Sequence, residues 1–165
     1  QLAEGLVNGD FEKETGGGAV SGWQFHGGGG DGQLADDGDA FLRLEAGQWR
    51  RHNRFLVPGD AIGLRFCRKI EVGGAGDLMT ITLHQGAASR IVYQEDLAAA
   101  SSWQCRTAAL AGDERGMPST LEISVFDDGS PPTARLGIDD IGLVIGIFAD
   151  GFESGGTSRW SSVFP

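Results

Sequence analysis

The sequence predicts an all-β protein, a two-sheet antiparallel β-sandwich of the jelly-roll type. About eight or nine short segments rich in apolar, β-branched and aromatic residues are separated by turn signals at intervals of roughly 8–12 residues. Glycine is unusually frequent, at 28 of 165 residues, without the Gly-X-Y period of collagen, which indicates many turns. No amphipathic helical segment separates the strands, so parallel βαβ folds are excluded.

The expected strands follow one another along the chain. In the N-terminal half they are expected at residues 5–12, 40–45, 48–57 and 62–70, and residues 23–25 form a short apolar alternation. In the C-terminal half they are expected at residues 79–83, 90–94, 103–110 and 121–126, before a last strand that contains Asp139 and Asp140 and ends near Ile147. Residues 27–39 are rich in glycine and aspartate and predict a flexible loop. The immunoglobulin order of Cys, Trp and Cys is absent, which favours the jelly roll.

The chain length fits one domain, expected at residues 1–147, followed by a C-terminal tail at residues 148–165. The net charge of −10 argues against nucleic acid and anionic membranes as partners, because both attract basic surfaces. No apolar run approaches the roughly 18–20 residues that span a bilayer. The charge is compatible with neutral polymers, cations and basic partners.

The two cysteines, Cys67 and Cys105, both fall in predicted strands. No CxxC or Cys/His spacing accompanies them, so a zinc site is not indicated. A disulfide between neighbouring strands and a pair of isolated thiols both remain open.

The predicted strand at residues 136–143 mixes apolar residues with two carboxylates. Strand alternation places Asp140 on the same face as Ile138 and Asp139 on the other face. A buried carboxylate needs a cation, hydrogen-bond donors or an added proton. Because residues 6–12 form a second acidic segment, we expect the two segments to meet and share a hard cation, for which calcium is favoured. The alternative is that hydrogen bonds alone hold Asp139.

Five motifs in chain order resemble those of the carbohydrate-binding modules with the galactose-binding-like jelly-roll fold. They are Leu6-Val7-Asn8-Gly9-Asp10-Phe11-Glu12, Gly22-Trp23, the segment from Val57 to Phe66, Trp103 with the strand after it, and Ile138-Asp139-Asp140-Ile141-Gly142-Leu143. Together they span nearly all of the predicted domain. The resemblance implies a jelly roll and a module of the xylan- or glucan-binding type.

The resemblance also implies a structural calcium ion, remote from the sugar. Carried over to this sequence, Glu12 supplies a side-chain oxygen, Asp10 a backbone carbonyl and Asp139 a carboxylate. A further oxygen is expected from the glycine- and aspartate-rich loop, at Asp37 or Asp39. Calcium takes six to eight oxygen ligands, so this set of carboxylates and carbonyls suits it. The alternative for the loop is an acidic segment that binds no ion.

Sugar rings stack their apolar C–H faces on exposed aromatic side chains, while amides and charged groups bind the hydroxyls. Trp23 and Trp103 match family positions in the core, so they are not expected to bind sugar. The candidate ligand-binding residues are Trp49, Arg51, His84, Gln85 and Tyr93. The alternative is that Trp49 packs at an end of the sandwich and Tyr93 in its core.

No catalytic constellation is visible, since both the G-x-S-x-G elbow and the H-E-x-x-H motif are absent and the three histidines are scattered. Neighbouring carboxylates in a strand point to opposite faces, so the Asp-Asp pairs do not form an acid/base pair. We therefore expect a non-catalytic, calcium-containing module that binds a polysaccharide or oligosaccharide. The alternative is a non-catalytic adhesion domain that binds a protein partner or a neighbouring domain.

The C-terminal segment at residues 147–156 echoes the opening motif Asn8-Gly9-Asp10-Phe11-Glu12. It resembles both a truncated start of a second module and a short tail found on secreted bacterial proteins. Either resemblance implies an exported protein, secreted or at the cell surface, and the resemblance to the tail implies a bacterial one.

Overall fold

Two β-sheets pack face to face around one hydrophobic core. The structure is a computed structural model that describes residues 3–7, 9, 11, 22–24, 33–36 and 40–146. Within these residues the only helical element is a 3-10 turn at Gly112–Glu114. The predicted all-β, two-sheet sandwich is confirmed.

Twelve strands are found in the described residues. The first six are β1 (Ala3–Glu4), β2 (Trp23–Gln24), β3 (Gln33–Asp36), β4 (Ala40–Glu45), β5 (Trp49–His52) and β6 (Phe55–Leu56). The last six are β7 (Ala61–Val72), β8 (Leu78–Gln85), β9 (Ala88–Asp96), β10 (Ser101–Ala109), β11 (Pro118–Phe126) and β12 (Arg135–Ile145).

One loop prediction and one strand prediction are wrong near the N-terminal end. β3 lies within residues 27–39, for which the sequence predicts a loop, because pairing with β4 imposes strand structure on a glycine-flanked segment. Residues 5–7, inside the first predicted strand, are not a strand.

The seven-stranded sheet is built around β11. On one side of β11 lies β8, followed by β9, and on the other side lie β6 and β5, which β1 and β2 extend. The five-stranded sheet has the order β10-β7-β12-β4-β3. The pairings are antiparallel except for the short parallel pair of β1 and β6. Each sheet therefore has an inner face toward the core and an outer face.

The inner faces carry alternate apolar residues, as expected for strands with one face in the core. Among the fully buried residues are Leu42, Leu44, Leu64, Phe66, Ile81, Leu121, Ile123, Leu136 and Ile138. Because these side chains point inward, the residues between them point outward, and the outer faces hold most of the polar and charged groups.

A buried ion pair joins the two sheets along the edge formed by β9 and β10. Arg68, only 3% exposed, donates from Nε and Nη2 to the Glu95 carboxylate, with an Nε–Oε2 distance of 2.8 Å. Its Nη1 donates to Ser101 Oγ at 2.8 Å, and the Tyr93 hydroxyl donates to Glu95 Oε2 at 2.8 Å. A buried guanidinium needs a charged partner of this kind, so the contact is a structural link between the sheets.

Cys67 and Cys105 lie directly opposite each other on β7 and β10, on the outer face of the five-stranded sheet. They form a disulfide, with a Cα–Cα distance of 3.9 Å. Of the two alternatives left open by the sequence, the structure therefore has the disulfide.

Trp103 shares this outer face and is 41% exposed. It packs edge-on against Phe41, with 5.3 Å between ring centroids. The expectation that Trp103 lies in the core is wrong. Trp103 lies two residues from Cys105 on β10 and therefore points to the outer face, whereas Ala108 points inward.

The two carboxylates of β12 are accommodated by an irregularity of the strand. The pairing register with β7 shifts between Asp139 and Gly142, and Asp140 adopts a left-handed backbone with φ of 51°. Asp140 is consequently exposed, while Ile141 returns to the core at 4% exposure. The prediction that Asp140 shares a face with Ile138 is wrong, because the bulge interrupts the alternation.

Candidate functional site

The outer face of the seven-stranded sheet brings polar and aromatic side chains together in cross-strand rows. We call the described side chains of this face on β5, β11 and β8 the Trp49 face. Its rows, read across β5, β11 and β8, are Thr120–His84, Arg51–Glu122–Thr82, Trp49–Ser124–Thr80 and Phe126–Leu78. Successive rows are about 7 Å apart, since they lie two residues apart along each strand. The face thus changes from polar at one end to aromatic at the other.

Glu122 is the centre of the polar end. Arg51 Nε donates to Glu122 Oε2 at 3.0 Å, and Arg51 Nη2 donates to the same oxygen. His84 Nε2 lies 3.5 Å from that oxygen as well. Within the described part of the chain, Glu122 Oε1 has no donor, so it remains available to accept a hydrogen bond from a ligand hydroxyl.

Trp49 and Phe126 form the aromatic end. The Arg51 guanidinium carbon lies 5.2 Å from the centroid of the Trp49 ring, a cation–π contact that restrains the indole beside the polar row. Phe126 is 58% exposed and lies one row further along the same face. Sequence reasoning missed Phe126 as a candidate, although its even spacing from Glu122 and Ser124 was a usable signal for the outer face.

Tyr93 lies on the opposite side of its sheet from Trp49. Its ring packs against Phe66 in the interior, 4.8 Å between centroids, and its hydroxyl is bonded to Glu95. Burial and the bond to Glu95 raise the pKa of the Tyr93 hydroxyl. The cause is a register shift in β9, where Ile91 pairs with Thr82 and Tyr93 with Ile81, so that Val92 is an extra residue.

Gln85 is also separated from the Trp49 face. Its Nε2 donates to the Glu114 carbonyl at 2.8 Å and to Ser119 Oγ at 2.9 Å. It lines a cavity of about 220 Å³ at the end of the β8–β9 hairpin, where Arg90 is paired with Glu114. Of the five predicted ligand-binding residues, the structure therefore brings together Trp49, Arg51 and His84, whereas Tyr93 and Gln85 lie elsewhere.

Four of the five predicted calcium ligands, Asp10, Glu12, Asp37 and Asp39, lie outside the described residues. The fifth, Asp139, is half-buried, and its Oδ1 accepts a hydrogen bond from Asp140 N at 2.7 Å. The two acidic segments do meet, because Ile141 N donates to Gly9 O at 2.9 Å. A Cβ at Gly9 would lie 1.7 Å from Ile141 O, so glycine is required for this close approach.

A different acidic group lies at the loops between β7 and β8 and between β11 and β12. Oxygens of Asp77, Asp127 and Asp128 lie within 4.8 Å of one another and could hold a metal ion. The buried Asp77 already accepts hydrogen bonds from Asp128 N at 3.0 Å and from Ala134 N at 2.8 Å. These bonds give Asp77 a structural role in tying the two loops together.

His52 is a buried histidine in a cluster of aromatic rings. Its ring packs edge-on against Trp23 and Phe55, at 5.0 and 5.3 Å between centroids. Its Nε2 lies 3.1 Å from Val7 N and 3.2 Å from Val7 O, and its Nδ1 lies 2.6 Å from Asn53 O. In the neutral ring with the proton on Nδ1, Nδ1 donates to Asn53 O and Nε2 accepts from Val7 N. Burial lowers the pKa of His52, and the backbone hydrogen bonds only partly oppose this effect.

The stability of the domain should therefore fall in two stages on acidification. Below about pH 6.5 the unfolded chain protonates His52 more readily than the folded chain does, so folding stability decreases. Below about pH 4.3 a second loss is expected from Glu71, Glu95 and Glu114. Burial raises the pKa of each of these carboxyls, but hydrogen bonds and charge from arginine partners outweigh it and lower the pKa.

Urea unfolding between pH 8 and pH 3 measures both stages. His52→Gln, which cannot titrate, should remove the first stage, and His84→Gln on the Trp49 face should retain it. A free energy of unfolding that stays constant between pH 7 and pH 5 would contradict the role of His52.

Comparison with known proteins identifies the fold. No protein-family model matches the chain, and no curated protein matches its sequence. The K3 cleaved adhesin domain of Lys-gingipain from Porphyromonas gingivalis W83 superposes with a TM-score of 0.59 at 12% identity, covering 85% of this chain and 99% of that domain. A family 61 carbohydrate-binding module in complex with β-1,4-galactotriose gives 0.57 at 17% identity, covering 86% of this chain and 97% of that chain.

The family 11 carbohydrate-binding module of the cellulosomal cellulase Lic26A-Cel5E of Clostridium thermocellum gives a TM-score of 0.54 at 11% identity. The match covers 88% of this chain and 97% of that module. The fold is the jelly roll of carbohydrate-binding modules and gingipain adhesin domains. The predicted fold resemblance is confirmed, and at these identities the likeness is one of fold. Among the described residues, no helix has the length and hydrophobicity needed to cross a bilayer.

Proposed function

We propose that this chain is a non-catalytic carbohydrate-binding module that binds a neutral polysaccharide on the Trp49 face. The observation that carries the proposal is the continuity of this face. Two aromatic side chains, the half-buried Trp49 and the exposed Phe126, lie next to a charged hydrogen-bonding group, Arg51–Glu122–His84, on neighbouring strands.

The chemistry of the two ends matches the two surfaces of a sugar. The indole of Trp49 and the ring of Phe126 offer apolar planes for the C–H faces of pyranose rings. Glu122 accepts hydrogen bonds from hydroxyls, and Arg51 donates them. Strand spacing of about 4.8 Å and row spacing of about 7 Å allow several sugar units of an extended chain to contact the face at once. A xylan or a glucan has the required shape and no charge.

A protein ligand is the second candidate, because the same outer face also exposes Ile91 on β9 in addition to Phe126. An apolar patch beside polar residues is typical of protein interfaces. In this case the domain acts as an adhesion module whose partner is a protein or a neighbouring domain. The structural likeness to gingipain adhesin domains is compatible with this alternative, as is the likeness to carbohydrate-binding modules.

The disulfide supports an exported location, secreted or at the surface of a bacterial cell. Disulfides persist in oxidising compartments and are rare where thiols are kept reduced. We further propose that residues 1–147 form the binding domain and that 148–165 are a tail. Residues 147–165 lie outside the described part of the chain.

The calcium proposal rests on the meeting of two acidic segments. Gly9 accepts a hydrogen bond from Ile141, which lies in the irregular part of β12 next to Asp139 and Asp140. Asp10 and Glu12 come shortly after Gly9 in the sequence. Carboxylate and carbonyl oxygens are the donors that calcium prefers. Asp139 would hold the ion together with Asp10, Glu12 and an oxygen of Asp37 or Asp39, and the ion would fasten the N-terminal segment to β12.

Removal of calcium should lower the melting temperature by about 5–10 °C, if the ion is present at about 100 times its dissociation constant. Differential scanning calorimetry with added calcium and after exhaustive EDTA treatment measures this shift. Asp139→Asn should abolish the calcium-dependent shift. Asp128→Asn, in the other acidic group, is the matched control and should retain it. An identical melt with calcium and with EDTA would contradict the proposal.

Affinity electrophoresis tests the function itself. The purified protein is run through gels cast with soluble xylan, mixed-linkage glucan, galactan and mannan, in calcium and in EDTA. We expect retardation by at least one neutral polysaccharide and no release of reducing ends from it. Migration that no polysaccharide changes would overturn the carbohydrate proposal and favour a protein ligand. Release of reducing ends would overturn the absence of catalysis.

A further inference from the structure

The outer face of the five-stranded sheet carries a second arrangement of aromatic and charged side chains, well apart from the Trp49 face. Trp103 lies on β10 between the pairs Ser101–Ile70 and Gln104–Arg68, opposite Lys69 of β7. Lys69 pairs across with Gly137 of β12, and Gly137 pairs with Arg43 of β4. We call the row Trp103, Lys69, Gly137 and Arg43, with the adjoining Phe41, the Trp103 face.

A glycine at position 137 makes room for the two aromatic rings. A Cβ added to Gly137 would lie 2.9 Å from Phe41 Cε2 and 3.3 Å from Trp103 Cη2. Because β7 separates β10 from β12, the Trp103 indole must reach across β7 to meet Phe41 over the backbone of Gly137. The indole is thus held at one position while 41% of its residue surface stays exposed.

Some charged groups of this face form ion pairs, and others do not within the described part of the chain. Arg43 donates to both oxygens of Glu71, each at 3.0 Å, and Arg135 donates to Glu71 at 2.8 Å. Lys69 and Arg65 of β7 have no ion pair in the described part of the chain. They lie on the same side of β7, four residues or about 13 Å apart. Lys69 therefore lies beside the exposed Trp103 with no ion-pair partner among the described residues, and Arg65 lies further along the same side of β7.

We propose that the Trp103 face binds an acidic saccharide, one whose sugar ring carries a carboxylate. The ring stacks on the Trp103 indole, and the carboxylate is bound by the ammonium group of Lys69, which lies opposite Trp103 on the next strand. A carboxylate further along the same saccharide reaches Arg65. The acidic remainder of the surface opposes this contact only weakly, since charges are screened over about 8 Å at physiological ionic strength. This site goes beyond the neutral-polysaccharide function and does not depend on it.

Titration with tetragalacturonate, followed by tryptophan fluorescence and calorimetry, tests the proposal, with the neutral oligosaccharide galactotetraose as the reference ligand. We expect tetragalacturonate to bind at least tenfold more tightly than galactotetraose at this face. Trp103→Ala should abolish the binding of tetragalacturonate. Lys69→Gln, which keeps a donor but removes the charge, should cost at least tenfold in affinity for it, and Lys69→Arg should restore most of the loss.

Phe126→Ala is the matched control, because it removes an exposed aromatic ring from the other sheet, and it should leave the affinity for tetragalacturonate unchanged. Equal affinities of wild type and Trp103→Ala would overturn the proposal, as would equal binding of the acidic and neutral oligosaccharides or no binding of either one. Loss of tetragalacturonate binding in Phe126→Ala but not in Trp103→Ala would also overturn it, since the acidic saccharide would then bind the Trp49 face.

Discussion

Glu95→Ala is expected to lower the free energy of unfolding by about 3–5 kcal/mol, because it leaves the buried guanidinium of Arg68 without its counter-charge. Arg68 is 3% exposed, and Glu95 receives hydrogen bonds from both Arg68 and Tyr93. The bond also joins β7 of one sheet to β9 of the other, so its loss weakens the contact between the sheets. Urea denaturation at pH 7 measures the change.

Glu71→Ala provides the matched control for this prediction. Glu71 also holds arginine partners, but the side chains of Arg43 and Arg135 are 36% and 43% exposed, so water can solvate them when the carboxylate is removed. The expected cost is about 1 kcal/mol or less. Equal losses for Glu95→Ala and Glu71→Ala would show that burial of the arginine does not determine the effect.

Trp49→Ala and Phe126→Ala should each weaken binding of the retained polysaccharide by at least tenfold, which is about 1.4 kcal/mol. Each substitution removes an aromatic ring from the same face, where Trp49 is half-buried and Phe126 is exposed, and aromatic anchors dominate the energy of many binding surfaces. Affinity electrophoresis of the variants against the polysaccharide that retards the wild type measures the loss.

Two control variants separate this effect from general damage to the fold. Trp103→Ala removes an exposed tryptophan from the other sheet, and Tyr93→Phe removes one interior hydroxyl. Both should bind the neutral polysaccharide as the wild type does. Wild-type affinity in Trp49→Ala and Phe126→Ala would exclude the Trp49 face as the binding site.

Much of the sandwich was predictable because regular alternation reports burial directly. Residues 79–83 illustrate this, since the buried Met79, Ile81 and Leu83 alternate with the half-buried Thr80 and Thr82, and the predicted strand lies within β8. Glycine-flanked β3 was not predictable from its own composition, because the pairing with β4 that creates it is a tertiary interaction.

The candidate site was only partly predictable, because irregularities in two strands change which side chains share a face. A single extra residue in β9, Val92, turns Tyr93 to the interior and leaves Ile91 on the outer face. A β-bulge of this kind depends on cross-strand pairing and leaves no signal in the alternation of one strand. The irregularity after Asp139 changed the expected facing of Asp140 for the same reason.

Where the strands are regular, the sequence predicted correctly which side chains share a face. Trp49 and Arg51 lie on one side of β5, as their spacing predicts, and His84 meets them through the regular pairing of β8 with β11. Trp103 points outward because it lies two residues from Cys105 on β10, and residues two apart in a strand share a face.

The indole N–H region of a two-dimensional NMR spectrum tests the proposed binding face most directly. The chain has four tryptophans, so four indole signals can be assigned by single substitutions and followed during titration with an oligosaccharide of the retained neutral polysaccharide. We predict that the Trp49 signal shifts with saturating behaviour, while the signals of Trp23 and Trp103 stay in place. A shift of Trp103 or Trp23 with an unchanged Trp49 signal would contradict the proposed binding face.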